Sequence, residues 1–95
     1  MKEKTQTKKL QALFTAAGGK VIKVGAGPYI ETGTPDLIGC LNGKCVVVEM
    51  KRPGEKPTPL QLHRLKQWGD AGAIALWGTD ADEIMGRVAP PAPRR

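Results

Sequence analysis

Gly33-Thr34-Pro35-Asp36-Leu37-Ile38-Gly39-Cys40-Leu41-Asn42-Gly43-Lys44-Cys45-Val46-Val47-Val48-Glu49-Met50-Lys51 is the stretch whose reading decides the fold. Two apolar runs flank Asn42-Gly43, and Asn-Gly is a strong hairpin signal because a type I′ turn places both central residues at φ > 0. With that two-residue turn, Leu41 pairs with Lys44, Cys40 faces Cys45, Ile38 faces Val47 and Asp36 faces Glu49. Side chains alternate along a strand, so Asp36, Ile38 and Cys40 share a face with Cys45, Val47 and Glu49, and Lys51 continues it. Asp36 and Glu49 fall on a non-hydrogen-bonded pair, where Cα atoms approach to roughly 4.5 Å. Two carboxylates placed opposite one another destabilise a sheet unless something neutralises them. A divalent cation would do so, and a neighbouring lysine would help. Val46-Val47-Val48 is apolar on both faces, which suits a central strand. Pro35 opens the preceding strand, where a missing N–H matters least.

Outward from the hairpin, the N-terminal side predicts a helix from Lys2 to Ala17. Leu10, Leu13, Phe14 and Ala17 recur at helical spacing, and Gly18-Gly19 supplies the stop. Lys20 to Val24 alternates as a short strand, with Val21 on one face and Ile22 and Val24 on the other. Gly25 to Gly33 is a loop carrying Tyr29, Glu31 and Thr32. Tyr29 and Trp77 read as packing residues rather than base-stacking platforms.

On the C-terminal side, residues 52–57 form a basic loop punctuated by Pro and Gly. Thr58-Pro59-Leu60-Gln61 then carries N-cap Thr, Pro at N1 and Gln at N3. That helix runs to Ala71, with Leu62, Leu65 and Trp68-Gly69 inward. Ala73 to Trp77 is a further strand, and Asp80 to Glu83 caps a last helix ending near Arg87. The strand–helix–strand step after the hairpin is a right-handed parallel crossover. The order αβββαβ(α) is that of an α/β fold with a mixed four-stranded sheet flanked by helices. One domain spans 1–88, and the Pro/Arg-rich tail 89–95 reads as disordered.

Ninety-five residues with a formal net charge of +6 favour a polyanionic partner, nucleic acid first. Only four aromatics, Phe14, Tyr29, Trp68 and Trp77, leave a thin core, which argues for a homodimer. No apolar run is long enough to span a bilayer, and a charged start without a signal-peptide core implies a cytoplasmic location. Two cysteines make no disulfide framework, and a single histidine, His63, argues against structural zinc. Arg52, Lys56, Arg64 and Lys66 could form a phosphate-tracking patch.

Pro35-Asp36, twelve residues, then Glu49-Met50-Lys51 matches the PD-(D/E)xK nuclease pattern. A wider set is more specific: Gly33 to Ile38, Gly43-Lys44, Val48 to Gly54, Pro57 to Gln61 and Ala71-Gly72 resemble the VRR-NUC family, in its short stand-alone phage-type members. The likeness covers most of the chain and leaves out the tail. It implies a small restriction-endonuclease-like core and a Mg²⁺- or Mn²⁺-dependent DNA endonuclease. The family is associated with branched, flapped or junction DNA, and a phage-encoded member would act in the host cytoplasm. Carried over by position, Asp36 and Glu49 look like metal ligands, with the Met50 backbone carbonyl as another. Lys51 looks like the lysine that orients or deprotonates the attacking water, and Gln61 like the glutamine opening the following helix. Members carry an acid in the first helix, for which Glu3 is the candidate. The rival reading is a catalytically silent nucleic-acid-binding module that retains the fold.

Overall fold

The computed structural model describes residues 3–88, and in it the chain runs α1 (Glu3–Ala16), β1 (Lys20–Lys23), β2 (Leu37–Leu41), β3 (Lys44–Met50), α2 (Pro59–Asp70), β4 (Ile74–Gly78) and α3 (Ala81–Val88). The predicted tail 89–95 and the predicted helix start at Lys2 lie outside the described residues. The sheet order is β1-β2-β3-β4, with the first two pairings antiparallel and β3–β4 parallel, as the strand–helix–strand step requires.

Asn42 and Gly43 both take positive φ, 53° and 79°, so the turn has the expected hand. Its register follows: Leu41 pairs with Lys44, Cys40 with Cys45, Ile38 with Val47 and Leu37 with Val48. There the ladder stops, one residue before Asp36. The next hydrogen-bonded pair would be Pro35 with Met50, and proline has no N–H to offer. The Asp36 carboxylate accepts the Met50 N–H instead, at 3.0 Å. The Asp36 carbonyl accepts from Val24 N–H at 2.6 Å, so β1 extends its pairing one step past Lys23.

Helices cover both faces of the sheet. Leu10 and Phe14 of α1 and Ala81, Ile84 and Val88 of α3 meet Leu37, Leu41, Val46, Val48, Met50 and Leu76 in the main core. Full burial of a Leu or Phe contributes about 1.5–3 kcal/mol, so this face holds most of the stability. The α1 stop is a Schellman turn: Gly18 has φ 87°, Gly19 N–H reaches the Phe14 carbonyl and Gly18 N–H the Thr15 carbonyl. The other face is thinner. There α2 lies on β4 and β3, burying Leu65 and Val47. Leu62, expected inward, is 46 % exposed. Gln61, Leu65 and Trp68 form the stripe toward the sheet, and Leu62 sits about 100° round the helix from Gln61.

Candidate functional site

The capping box of α2 forms as its sequence requires: Thr58 Oγ1 accepts from Gln61 N–H at 3.1 Å, and Gln61 Oε1 accepts from Thr58 N–H at 2.8 Å. With its oxygen committed to the cap, the Gln61 amide turns its nitrogen outward. Gln61 Nε2 lies 3.4 Å from Glu49 Oε2, a long hydrogen bond. Lys51 Nζ stands 3.4 Å from the same oxygen. Glu49 is only 2 % exposed, and its other oxygen, Oε1, is buried with no hydrogen-bond partner among the described residues. Burial, and after it the neighbouring Asp36 carboxylate, push the Glu49 carboxyl up to about 7, while Lys51 pulls it down.

Asp36, Glu49, Lys51 and Gln61 therefore meet at one point, where β2 begins, β3 ends and α2 starts. The register argument puts Asp36 in a strand pair with Glu49. In the fold Asp36 stands just outside the strand, yet the carboxylates are still neighbours. In an extended strand a residue's N–H and C=O leave on the same side, so the Met50 carbonyl faces the Asp36 edge.

Glu3 opens α1 at the same end of the sheet, since Gln6 Oε1 three residues later accepts the Ala81 N–H beyond β4, at 2.8 Å. Among the described residues no three His, Cys, Asp or Glu side chains gather as a group that could hold a metal ion. Arg64, placed by sequence in a phosphate patch, has partners within the chain. Its Nε donates to the Thr32 carbonyl at 3.0 Å and lies 3.3 Å from Glu31 Oε1, and its NH1 donates to Gln67 Oε1. It ties the loop leading to Asp36 onto α2. Lys66 pairs with Asp70 one turn along α2, and Arg52 lies 3.7 Å from Glu55. Lys56 and His63 are exposed.

Two features escaped the sequence reading. Gln6 is buried and joins α1 to the start of α3; a polar residue four positions before Leu10, on the apolar stripe, was the available signal. Tyr29, expected to pack, is 98 % exposed.

No family model matches the chain. It is 61 % identical over 59 residues to "Putative nuclease p44" of Acyrthosiphon pisum secondary endosymbiont phage 1, a match covering 59 % of this chain and 63 % of that protein. The match thus spans less than two thirds of the relative's length. A solved structure named as a VRR-NUC domain superposes with a TM-score of 0.77 at 26 % identity, over 95 % of this chain and 97 % of the other. A VRR-NUC domain protein gives 0.71 at 16 % identity, over 90 % and 84 %, which speaks to the fold alone. The three helices and mixed four-stranded sheet of the described residues, in the order αβββαβα, match the small α/β VRR-NUC nuclease fold. The two structural likenesses and the phage relative together support the resemblance of this chain to a phage-type VRR-NUC domain.

Proposed function

We propose that the chain is a nuclease that hydrolyses internal phosphodiester bonds of DNA with the help of Mg²⁺ or Mn²⁺. The observation that carries this reading is Glu49: a buried carboxylate, one oxygen without a partner among the described residues, set beside Asp36 and Lys51. A fold does not leave an unsatisfied carboxylate oxygen inside without cost, and hard oxygen donors in this grouping suit a small divalent cation. Asp36 and Glu49 would hold it, with the Met50 carbonyl as a further ligand. A bound ion supplies charge neutralisation at the phosphate and a more acidic water.

The remaining roles belong to the chain itself. Lys51 Nζ, kept in place by Glu49, orients the attacking water and accepts or stabilises its proton. Gln61 holds Glu49 from the other side, and its amide cannot flip without breaking the cap. Arg52, Lys56, Arg64 and Lys66 offer phosphate contacts around the site. Preference for branched, flapped or junction DNA comes into the proposal from the family resemblance, and a phage-encoded enzyme of this kind would work in the host cytoplasm. No helix among the described residues is long and apolar enough to cross a membrane.

A homodimer belongs to the same proposal. On the α2 side, β1 and β2 are left open, with Ile22 54 % exposed and Cys40 and Cys45 also at the surface. Light scattering that finds only monomer mass at micromolar protein would exclude it.

The deciding assay incubates labelled branched, flapped and linear DNA with Mg²⁺, Mn²⁺, Ca²⁺ or EDTA. Cleavage should need Mg²⁺ or Mn²⁺, and Asp36→Asn and Lys51→Ala should each lose about 100-fold or more. Cleavage that survives EDTA, or both substitutions, would overturn the proposal.

A further inference from the structure

Residues 24–36 carry an arrangement that the carboxylate site does not use. Pro28 and Tyr29 form the apex of a turn closed by Ile30 N–H on the Gly27 carbonyl at 3.1 Å. Proline at the first central position fixes the turn before any ligand arrives. Further along, Thr34 returns both its N–H and its hydroxyl to the Glu31 carbonyl, and Arg64 binds the Thr32 carbonyl and the Glu31 carboxylate. Gly33, at φ 85°, lies so close to α2 that a Cβ there would stand 2.9 Å from Leu60 Cγ. The loop is thus closed at its apex and strapped at its base.

This loop walls a cleft of about 260 Å³, lined by Gly27, Ile30, Thr34 and Asp36 among others. Both chain neighbours of the Pro28-Tyr29 apex therefore line the same cleft as a carboxylate of the site. Single exposed apolar residues are ordinary on protein surfaces. Tyr29 differs in being a nearly fully exposed ring at the apex of a closed turn whose flanking residues, Gly27 and Ile30, line the cleft that contains Asp36. The acid on the cleft wall, Glu31, has its charge met by Arg64, which lessens repulsion of an incoming phosphate. Lys23, exposed, precedes the first lining residue, Val24.

The geometry points to Tyr29 as a stacking platform for an unpaired nucleobase of the DNA whose phosphate lies at Asp36 and Glu49. A base inside a duplex has both faces occupied by its neighbours, so only an unstacked base can lie on a ring presented at a turn apex. This rests on the nuclease reading and deepens it by assigning one residue, Tyr29, to hold an unpaired nucleotide beside the scissile bond.

The test uses a duplex with a single-stranded flap whose first unpaired base is 2-aminopurine, and the same duplex blunt-ended, both with Ca²⁺. Wild type should bind the flapped DNA and quench the 2-aminopurine. Tyr29→Ala should weaken that binding about 5- to 100-fold more than it weakens blunt-duplex binding, and should lose the quench. Tyr29→Phe, which keeps the ring, should keep the quench. Tyr29 is exposed and buries nothing in the core, so Tyr29→Ala should melt with wild type, which circular dichroism checks. Quenching by Tyr29→Ala equal to wild type, or equal losses on flapped and blunt DNA, would overturn the stacking role. In that case Mg²⁺-dependent cleavage, lost in Asp36→Asn, would still support the nuclease reading. Wild type that binds neither DNA would overturn both.

Discussion

Glu49→Gln should make the metal-free protein more stable at neutral pH while abolishing its cleavage. In the fold the Glu49 carboxyl is raised from 4.5 to about 7, by burial first and by Asp36 second. At 1.36 kcal/mol per pH unit, that shift corresponds to about 3 kcal/mol, an order-of-magnitude figure with the opposing effect of Lys51 already inside it. Below pH 4.5 the group is protonated in both folded and unfolded chains, and the fold carries no penalty. Between 4.5 and 7 the folded chain keeps a proton that the unfolded chain releases, so stability falls as pH rises; above 7 the loss is complete. Glutamine has the same shape and no charge to desolvate, and its amide could donate to Asp36. In EDTA at pH 8, Glu49→Gln should therefore melt roughly 10 °C or more above wild type, since each kcal/mol moves a domain of this size by about 4–8 °C. At pH 4 the two melting temperatures should converge. Calorimetry or circular dichroism from pH 4 to 8.5 measures the difference directly. A variant that melts at or below wild type at pH 8, or a gap that does not change with pH, would refute the reasoning.

Thr58→Ala removes one half of the capping box and should cost about 1 kcal/mol in urea unfolding. Gln61→Ala should cost a similar amount and also reduce the rate of Mg²⁺-dependent cleavage more than Thr58→Ala does, because only Gln61 reaches Glu49. Gly33→Ala meets both a positive φ of 85° and a Cβ contact of 2.9 Å with Leu60 Cγ, and should lower stability by about 1–3 kcal/mol in the same urea experiment. A Gly33→Ala midpoint within error of wild type would show that the loop does not need its close approach to α2.

The hairpin could be read from the sequence because its determinants are local. Asn-Gly fixes the turn, alternation fixes the faces, and the observed pairs from Leu41–Lys44 to Leu37–Val48 follow without a bulge. The α2 start was equally readable, since Thr58, Pro59 and Gln61 act on one another across three residues. Leu62, Arg64 and Tyr29 were not, because each depends on which surfaces meet. Helical spacing gives α2 an apolar side, but how far round the helix burial extends depends on how much of the sheet lies beneath it. A basic residue beside a candidate site suggests phosphate; nothing in the spacing from Glu31 and Thr32 to Arg64 indicates that the loop folds back to meet it. Tyr29 lies in a stretch without periodicity, where an aromatic residue gives no sign of the side it will face.

The ends of the hairpin explain why those less readable contacts bear on the site. Glu49 lies in β3 and Asp36 just before β2, where the ladder no longer pairs them. Their separation is set instead by the Asp36 carboxylate on the Met50 N–H and by the Asp36 carbonyl on Val24 N–H. Gln61 reaches Glu49 from a helix that the ladder does not touch. Arg64, one turn further along the same helix, reaches back to Glu31 and Thr32 in the segment leading to Asp36. The two carboxylates are thus connected twice: directly through the end of β3, and indirectly through α2. A substitution in either connection that leaves the hairpin intact, Arg64→Ala in the second, should shift Asp36 relative to Glu49 before it unfolds anything. Its signature is lost cleavage at nearly unchanged melting temperature; loss of both in step would mean that Arg64 supports the fold as a whole and not the spacing of the pair.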